Sequence, residues 1–139
     1  MSSTIDEDRI RGGALTAAIS NAVVRRTAEY TGRGPTQARA IVRDDVVVVV
    51  LQDTLTKGER ALVAHGRAAK VMELRREFQS AMGDALSSDI EQLTGRKVLA
   101  FMSANHVDPD LGAEVFILDP STQTHADQSM GEGSSANPG

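Results

Sequence analysis

The sequence Leu55-Thr56-Lys57-Gly58-Glu59 begins a long helix that separates two pairs of predicted strands. The Thr56 hydroxyl can accept a hydrogen bond from the amide of Glu59, and the Glu59 carboxylate can accept one from the amide of Thr56, which is the capping-box arrangement. Good helix formers follow up to Leu93, and Thr94-Gly95 ends the helix. The spacing therefore predicts a long second helix.

This second helix is longer than the strands around it. A helix from Lys57 to Leu93 spans about 55 Å, and strands of about eight residues span about 26 Å. Gly66 is its one weak position, and a break there leaves a second piece of about 40 Å. Its predicted buried stripe consists of Val71, Leu74, Phe78, Met82, Ala85 and Leu86. Because an apolar stripe on an overhanging helix needs cover, we expect a homodimer.

The segment before this helix predicts a β-hairpin. Its first strand alternates between alanine or valine on one face and Arg39, Ile41 and Arg43 on the other. Asp44-Asp45 supplies a tight turn into Val46-Val47-Val48-Val49-Val50-Leu51. β-Branched side chains at successive positions indicate a second strand that is covered on both faces.

The outer elements follow from similar signals. A first helix is predicted over residues 10–31, where apolar residues recur at helical spacing, and Gly32-Arg33-Gly34-Pro35 ends it. Residues 98–103 and 114–118 read as strands around a turn at Asp108-Pro109-Asp110-Leu111-Gly112. The sequence thus predicts a second hairpin after the long helix.

These elements define an α+β fold, a two-layer α-β-β-α-β-β domain over residues 10–119. A right-handed crossover through the long helix makes the second and third strands parallel, so we expect a mixed four-stranded sheet. Residues 1–9 and 120–139 are polar and lack an apolar period, so both are expected to be disordered, the second as an acidic tail.

Composition narrows the functional classes. The chain has 139 residues and no cysteine, which excludes disulfides, cysteine nucleophiles and thiolate metal sites. It lacks a cationic leader followed by an apolar run, so we expect a cytoplasmic protein. The longest apolar stretch, the valine run, is far short of the roughly 20 residues that cross a bilayer, so no direct membrane insertion is expected.

Charge is distributed unevenly along the chain. All 15 basic residues lie between Arg9 and Lys97, together with 10 of the 19 acidic residues, and both ends are acidic. A basic middle can serve anionic partners, although arginines that solvate helix faces are the more frequent explanation. With three Phe, one Tyr and no Trp, the chain can hardly build a stacking platform, so we expect no nucleic-acid partner.

One loop resembles an anion site. Gly32-Arg33-Gly34-Pro35 could present backbone amides and a guanidinium group to a phosphate, together with Arg39 and Arg43. It lacks the lysine and serine of a P-loop. A helix end explains the glycines without a ligand, so the candidate residues Arg33, Gly34, Arg39 and Arg43 are a hypothesis.

A second candidate site is the tip of the second hairpin. Asn105, His106, Asp108 and Asp110 bring an imidazole and carboxylates together, as a small metal site does. One imidazole with flexible carboxylates is an incomplete zinc site, and Asp-Pro-Asp-x-Gly is what a turn needs for conformational reasons alone. We therefore expect no metal and no cofactor.

No catalytic constellation stands out. His65 and His106 are the only histidines outside the tail, and neither accompanies a nucleophile motif. The carboxylate pairs Asp44-Asp45 and Asp108 with Asp110 both lie in predicted turns. We therefore do not expect an enzyme.

Several segments, in their order along the chain, resemble the small bacterial MpsC-like family. The resemblance covers residues 10–118. It rests on Ala18-Ile19-Ser20-Asn21-Ala22-Val23-Val24, Gly32-Arg33-Gly34-Pro35-Thr36, Leu55-Thr56-x-x-Glu59, Gly66-Arg67, Leu93-Thr94-Gly95 and His106-x-Asp108-Pro109-Asp110-Leu111. That family is named for a Na+-translocating, membrane-potential-generating system, and the resemblance brings no catalytic residues with it.

The resemblance implies a soluble accessory or regulatory subunit that contacts a membrane transport protein. Its contacts are expected on the surface of residues 32–43 and at the hairpin tip around His106, since charged loop residues have less packing to explain them. Two alternatives stay open. One is a dimeric sensor of a small anionic ligand bound near Arg33, Arg39 and Arg43, and the other is a structural assembly protein.

Overall fold

The computed structural model describes the backbone of residues 2–120 and the side chains of residues 12–120. The predicted order of helices and hairpins is confirmed, and the predicted tail lies beyond the described residues from position 121 onward. Helix α1 begins at Ser2 instead of near residue 10. The elements are α1 (Ser2–Thr31), β1 (Gln37–Arg43), β2 (Val46–Gln52), α2 (Lys57–Ala64), α3 (Ala68–Thr94), β3 (Val98–His106) and β4 (Leu111–Leu118).

The long second helix is divided at Gly66 into α2 and α3. Gly66 adopts a φ of 77°, a conformation that side-chain-bearing residues rarely take. The amides of His65 and Arg67 donate back to the carbonyls of Ala61 and Leu62, at 3.1 and 2.8 Å, and so close the end of α2. The remaining helix α3 has 27 residues and spans about 40 Å.

The sheet has four strands in the order β1-β2-β4-β3, and every neighbouring pair is antiparallel. We expected a mixed sheet with β2 and β3 parallel. These strands do run in the same direction, but β4 lies between them and pairs with both. Because hairpin strand β4 fills that position, no parallel pair forms.

The helices cover one face of the sheet, and the core lies between them. Phe101 and Phe116 pack in this core with their ring centroids 5.1 Å apart. The buried core residues come from α1, α3, β2 and β4. They are Ile19, Val23, Val47, Val49, Leu51, Met82, Leu86, Ile90, Phe116 and Leu118.

Helix α3 buries Val71, Met82 and Leu86 of the predicted stripe, but the rest of its buried face differs from the prediction. Leu74, expected in the core, is 38% exposed, whereas Arg75 and Gln79 are buried. The helix is turned in this way because both polar side chains find hydrogen-bond partners in the interior, at Glu59 and Asn105. The buried positions are Val71, Arg75, Gln79, Met82, Leu86 and Ile90.

The other face of the sheet, which we call the open face, is not covered by any described part of the chain. Val47, Val49 and Leu51 point toward the helices and are buried, and the remaining valines of β2 point the opposite way. The expectation that β2 is covered on both sides is therefore wrong for the chain on its own. At the edges of the open face, Ile41 is 50% and Met102 is 52% exposed.

Candidate functional site

Three loops meet at one end of the sheet, and we call them the loop cluster. The last row of the sheet pairs Gln37 with Gln52, Gln52 with Leu111, and Leu111 with His106. The segments just beyond this row are therefore neighbours in space. They are residues 32–36 before β1, residues 53–56 after β2, and residues 107–110 between β3 and β4.

Asp110 ties two of these loops together. Its Oδ1 accepts hydrogen bonds from the amide and the hydroxyl of Thr54, both at 3.1 Å, and its Oδ2 accepts one from the amide of Leu55 at 2.9 Å. The Asp53 amide donates to the Asp110 carbonyl at 3.0 Å. Both carboxylate oxygens thus fix the β2–α2 loop against the hairpin tip, so the sequence-predicted candidate Asp110 has a positioning role.

Replacing Asp110 with alanine is expected to lower the free energy of unfolding by about 1–3 kcal/mol, because buried amides lose their acceptors. Urea unfolding followed by circular dichroism measures this. Asp108→Ala is the matched control, since Asp108 is exposed in the same turn and should change stability by less than about 0.5 kcal/mol. Equal effects of the two substitutions would show that the Asp110 hydrogen bonds contribute nothing particular.

A charged triad lies beside this junction. Arg33 Nη2 is 2.8 Å from Asp53 Oδ2, and its Nε donates to the Asp53 carbonyl at 3.3 Å. Arg60 forms an ion pair with the other oxygen, Asp53 Oδ1. Two guanidinium groups thus share one carboxylate, and the triad carries a net positive charge at the surface.

The triad borders a shallow pocket of about 230 Å³. Its walls combine apolar side chains with charged ones: Asp53, Leu55, Arg60, Val63, Val107, Asp108 and Asp110. This volume is smaller than the ~300–1,000 Å³ that drug-sized ligands occupy. An apolar centre with a charged rim is instead typical of a small protein-contact site.

The structure does not gather the predicted anion-binding residues on one surface. Arg33 is held by Asp53 in the loop cluster, whereas Arg39 and Arg43 extend from the open face, about 13 Å apart along β1. Gly34 packs against α1, where an added Cβ would lie 3.7 Å from Ala28 Cβ. This is an ordinary van der Waals distance, so the packing against α1 would also accept an alanine at this position.

The other predicted residues of the hairpin tip also separate. Asn105 points toward the helices and exchanges two hydrogen bonds with Gln79, at 3.0 and 2.8 Å. His106 Nδ1 lies 2.8 Å from the Pro109 carbonyl and donates to it, and Asp108 is exposed. Across residues 12–120, no three histidine or carboxylate side chains form a group that could hold a metal ion.

A buried ion pair lies under the loop cluster and was not predicted from the sequence. Arg75 Nη2 is 2.9 Å from Glu59 Oε1 and also donates to the Thr54 carbonyl. The two side chains are 4% and 5% exposed. The capping box predicted at Thr56 is confirmed, and through Glu59 it is linked to this pair. The start of α2 is thereby joined to α3 about two turns from its beginning.

A second buried carboxyl, Glu114, lies on β4 behind a groove between α3 and β3. The Ser103 hydroxyl donates to Glu114 Oε1, and Glu114 is 1% exposed. Burial raises the pKa of Glu114 to about 7, although the Ser103 hydrogen bond and the charge of Arg75 act in the opposite direction. The groove has a volume of about 420 Å³ and is lined by Arg76, Gln79, Ser80, Gly83, Asp84, Ser87, Phe101 and Ser103.

The sequence does contain a signal for Glu114. Along β4 the alternate residues Gly112, Glu114, Phe116 and Leu118 face the helices, so the strand period places a carboxyl inside the core. A carboxyl with this pKa can bind and release a proton near neutral pH. The neighbouring Ser103 hydroxyl donates one stabilising hydrogen bond to this carboxyl, and it does not act as a base.

The fold and these surfaces define a small two-layer α+β protein with a bare sheet face and a charged loop cluster. The chain belongs to the family described as Na+-translocating membrane potential-generating system (MpsC), which matches residues 11–120. No curated protein and no solved structure matches the chain. Within residues 2–120, every helix is too short or too polar to cross a bilayer.

Proposed function

We propose that this chain is an accessory or regulatory protein of a Na+-translocating, membrane-potential-generating system, and that it acts without catalysis, through protein contacts at the loop cluster. The family supports the association with such a system. We place it on the cytoplasmic side; the chain has no cysteine and so depends on no disulfide, which is compatible with a reducing compartment.

The geometry of the loop cluster is the main support for a contact site there. Asp110 holds the hairpin tip rigidly against residues 53–56, so the surface is positioned before any partner arrives. Half-buried Val63 and Val107 supply an apolar centre, and exposed Asp108 and Arg60 supply charges around it. A positioned surface loses little conformational entropy on binding, which favours contact with another protein.

Co-purification from native membranes tests the proposal. The full-length chain with an affinity tag, expressed in its own host, is expected to recover a Na+-transporting membrane protein after mild solubilisation. The double variant Val107→Glu/Asp108→Arg should reduce that recovery at least about tenfold, the loss that roughly 1.4 kcal/mol of contact energy produces. Mass spectrometry of the eluted proteins measures it.

Glu77→Arg provides the matched control, because Glu77 is exposed on α3, away from the loop cluster. It makes the same change of charge as Asp108→Arg and should leave recovery unchanged. The proposal is wrong if the unaltered chain recovers no transport protein. It is also wrong if the loop variant and the Glu77 variant recover equal amounts.

A further inference from the structure

The middle row of the open face is apolar across the whole width of the sheet. The strand register places Ile41, Val48, Val115 and Met102 in one continuous row from edge to edge. Neither this row nor the rows on either side of it contains an acidic residue. The flat footprint measures about 19 by 23 Å, or about 440 Å². The largest apolar patch on a monomeric protein is typically about 300–600 Å² and is often functional, so a face of this size is a candidate contact surface.

The composition of β2 indicates that this face is covered. In an antiparallel sheet with one solvated face, residues that point to solvent are usually polar. The outward residues of β2 are Val46, Val48 and Val50, and they pair with Ile117, Val115 and Ala113 on β4. The two central strands are thus built for burial on both sides, whereas the described part of the chain covers only one.

We propose that the open face binds the open face of a second copy of this chain, related by a twofold axis that runs parallel to the strands between β2 and β4. This rotation places β1 of each copy over β3 of the other, and β2 over β4. In the middle row, Ile41 then meets Met102 of the second copy, and Val48 meets Val115. Sheets stacked in this way lie about 10 Å apart, with their side chains filling the space between them.

The sizes of the side chains in the flanking rows fit this arrangement. One row reads Arg39, Val50, Ala113 and Ala104, and the other reads Arg43, Val46, Ile117 and Ala100. After the rotation each arginine lies over an alanine of the second copy. The long aliphatic stem fills the space above the small residue, and the guanidinium group reaches water at the rim. Large residues meet small ones at both edges.

Repulsion between arginines favours this axis over the other twofold axis in the plane of the face. An axis perpendicular to the strands would place β1 over β1, which gathers Arg39 and Arg43 of both copies with no acid among the facing rows. The axis parallel to the strands keeps the two arginine pairs at opposite edges, about 14 Å apart across the sheet. Like charges are then separated and solvated, at low electrostatic cost.

The area of the interface is that of a weak dimer. Two footprints of this size total about 880 Å² before side-chain relief is added, which is above most lattice contacts but slightly below the roughly 1,000 Å² of a typical specific interface. The loop cluster lies beyond the end row of the sheet, so stacking leaves it accessible in both copies. The inference therefore goes beyond the proposed function and does not depend on it.

The oligomeric state of full-length variants tests this inference. The unaltered chain should be a dimer at micromolar concentration by light scattering after gel filtration. Ile41→Glu and Met102→Lys should each give monomers, since each places an unpaired charge in the interface. A mixture of these two monomeric variants should form a one-to-one dimer, because Glu at position 41 then faces Lys at position 102 across one half of the interface while the other half keeps its apolar contact.

Two controls are needed: one for folding of the variants, and one for a substitution on a different surface. Ile41 and Met102 are about half exposed, so neither substitution should change the circular dichroism spectrum or unfold the chain. Leu74→Glu changes an exposed apolar residue of α3 and should leave the dimer intact. The inference is overturned if the unaltered chain is monomeric, if Leu74→Glu alone dissociates it, or if the two sheet variants fail to associate on mixing.

Discussion

Replacing Arg75 with methionine is expected to lower the free energy of unfolding by about 3–5 kcal/mol, the usual cost of breaking one partner out of a buried ion pair. Methionine keeps the apolar stem but removes the guanidinium group that contacts Glu59 and the Thr54 carbonyl. Glu59 is buried and would keep its charge without a cation beside it. Urea unfolding at a fixed protein concentration measures the change.

A double variant separates the ion pair from the loss of side-chain packing. Glu59→Gln keeps an oxygen that can accept from the Thr56 amide, so the cap of α2 persists. If the pair is the cause, Arg75→Met/Glu59→Gln should be about 1–3 kcal/mol more stable than the sum of the single effects. Additive effects would assign the loss to packing of the arginine stem instead.

The exposed face of α3 offers a comparison within the same helix. Arg76 follows Arg75 in the chain and is exposed, so Arg76→Met should change stability by less than about 0.5 kcal/mol. A loss for Arg76→Met as large as that for Arg75→Met would contradict the burial that places Arg75, and not its neighbour, in the interior.

The local elements of this fold were predictable because their signals lie within a few residues of one another. The capping box at Thr56 and Glu59 forms as expected, with the hydrogen bonds at 2.8 and 3.1 Å. Gly32, Gly66 and Gly95 each end a helix with φ between 70° and 79°. A glycine needs only its own backbone to act in this way, so sequence is sufficient.

The buried polar contacts were not predictable, because each joins residues distant in sequence. Arg75 meets Glu59, Gln79 meets Asn105, and Thr54 meets Asp110, at separations of 16, 26 and 56 residues. These pairs turn α3 so that Leu74 faces solvent. Apolar periodicity predicts a buried Leu74, because the pattern contains no information on which polar side chains have hydrogen-bond partners in the interior.

For the candidate site, too, local features were predictable from the sequence and long-range contacts were not. Register places the predicted hairpin-tip residues at the same end of the sheet as the loop that contains Arg33, with residues 53–56 between them. Their roles depend on contacts with Asp53 and Thr54, which the sequence does not bring together. Arg39 and Arg43 were grouped with Arg33 by proximity in the chain, whereas strand alternation sends them to the open face.

The second large expected effect is the pH dependence of stability that Glu114 causes. Raising the pH from about 5 to about 8 is expected to lower the free energy of unfolding by about 2–3 kcal/mol through this one residue. The carboxyl has a pKa of about 7 in the folded chain and 4.5 as its ordinary value. Between these values the folded chain binds more protons than the unfolded chain, so each rise in pH favours unfolding.

Glu114→Gln should remove this contribution, because the amide fills the same space, can accept from Ser103 and does not titrate. Its stability should equal or exceed that of the unaltered chain above about pH 7 and lose most of the decline between about pH 5 and 8. Glu77→Gln is the control at an exposed position of α3 and should keep the decline. Urea midpoints measured across this pH range at constant protein concentration give the result.

Two further substitutions test the causes of the shift. Ser103 and Arg75 both lower the pKa of Glu114 against the effect of burial. Ser103→Ala should therefore move the loss of stability to higher pH, and Arg75→Met should do the same while lowering stability at every pH. If the decline persists unchanged in Glu114→Gln, another group titrates and burial of Glu114 is not its cause. If Ser103→Ala moves the decline to lower pH, the hydroxyl stabilises the neutral carboxyl, and the direction of its hydrogen bond must be reversed.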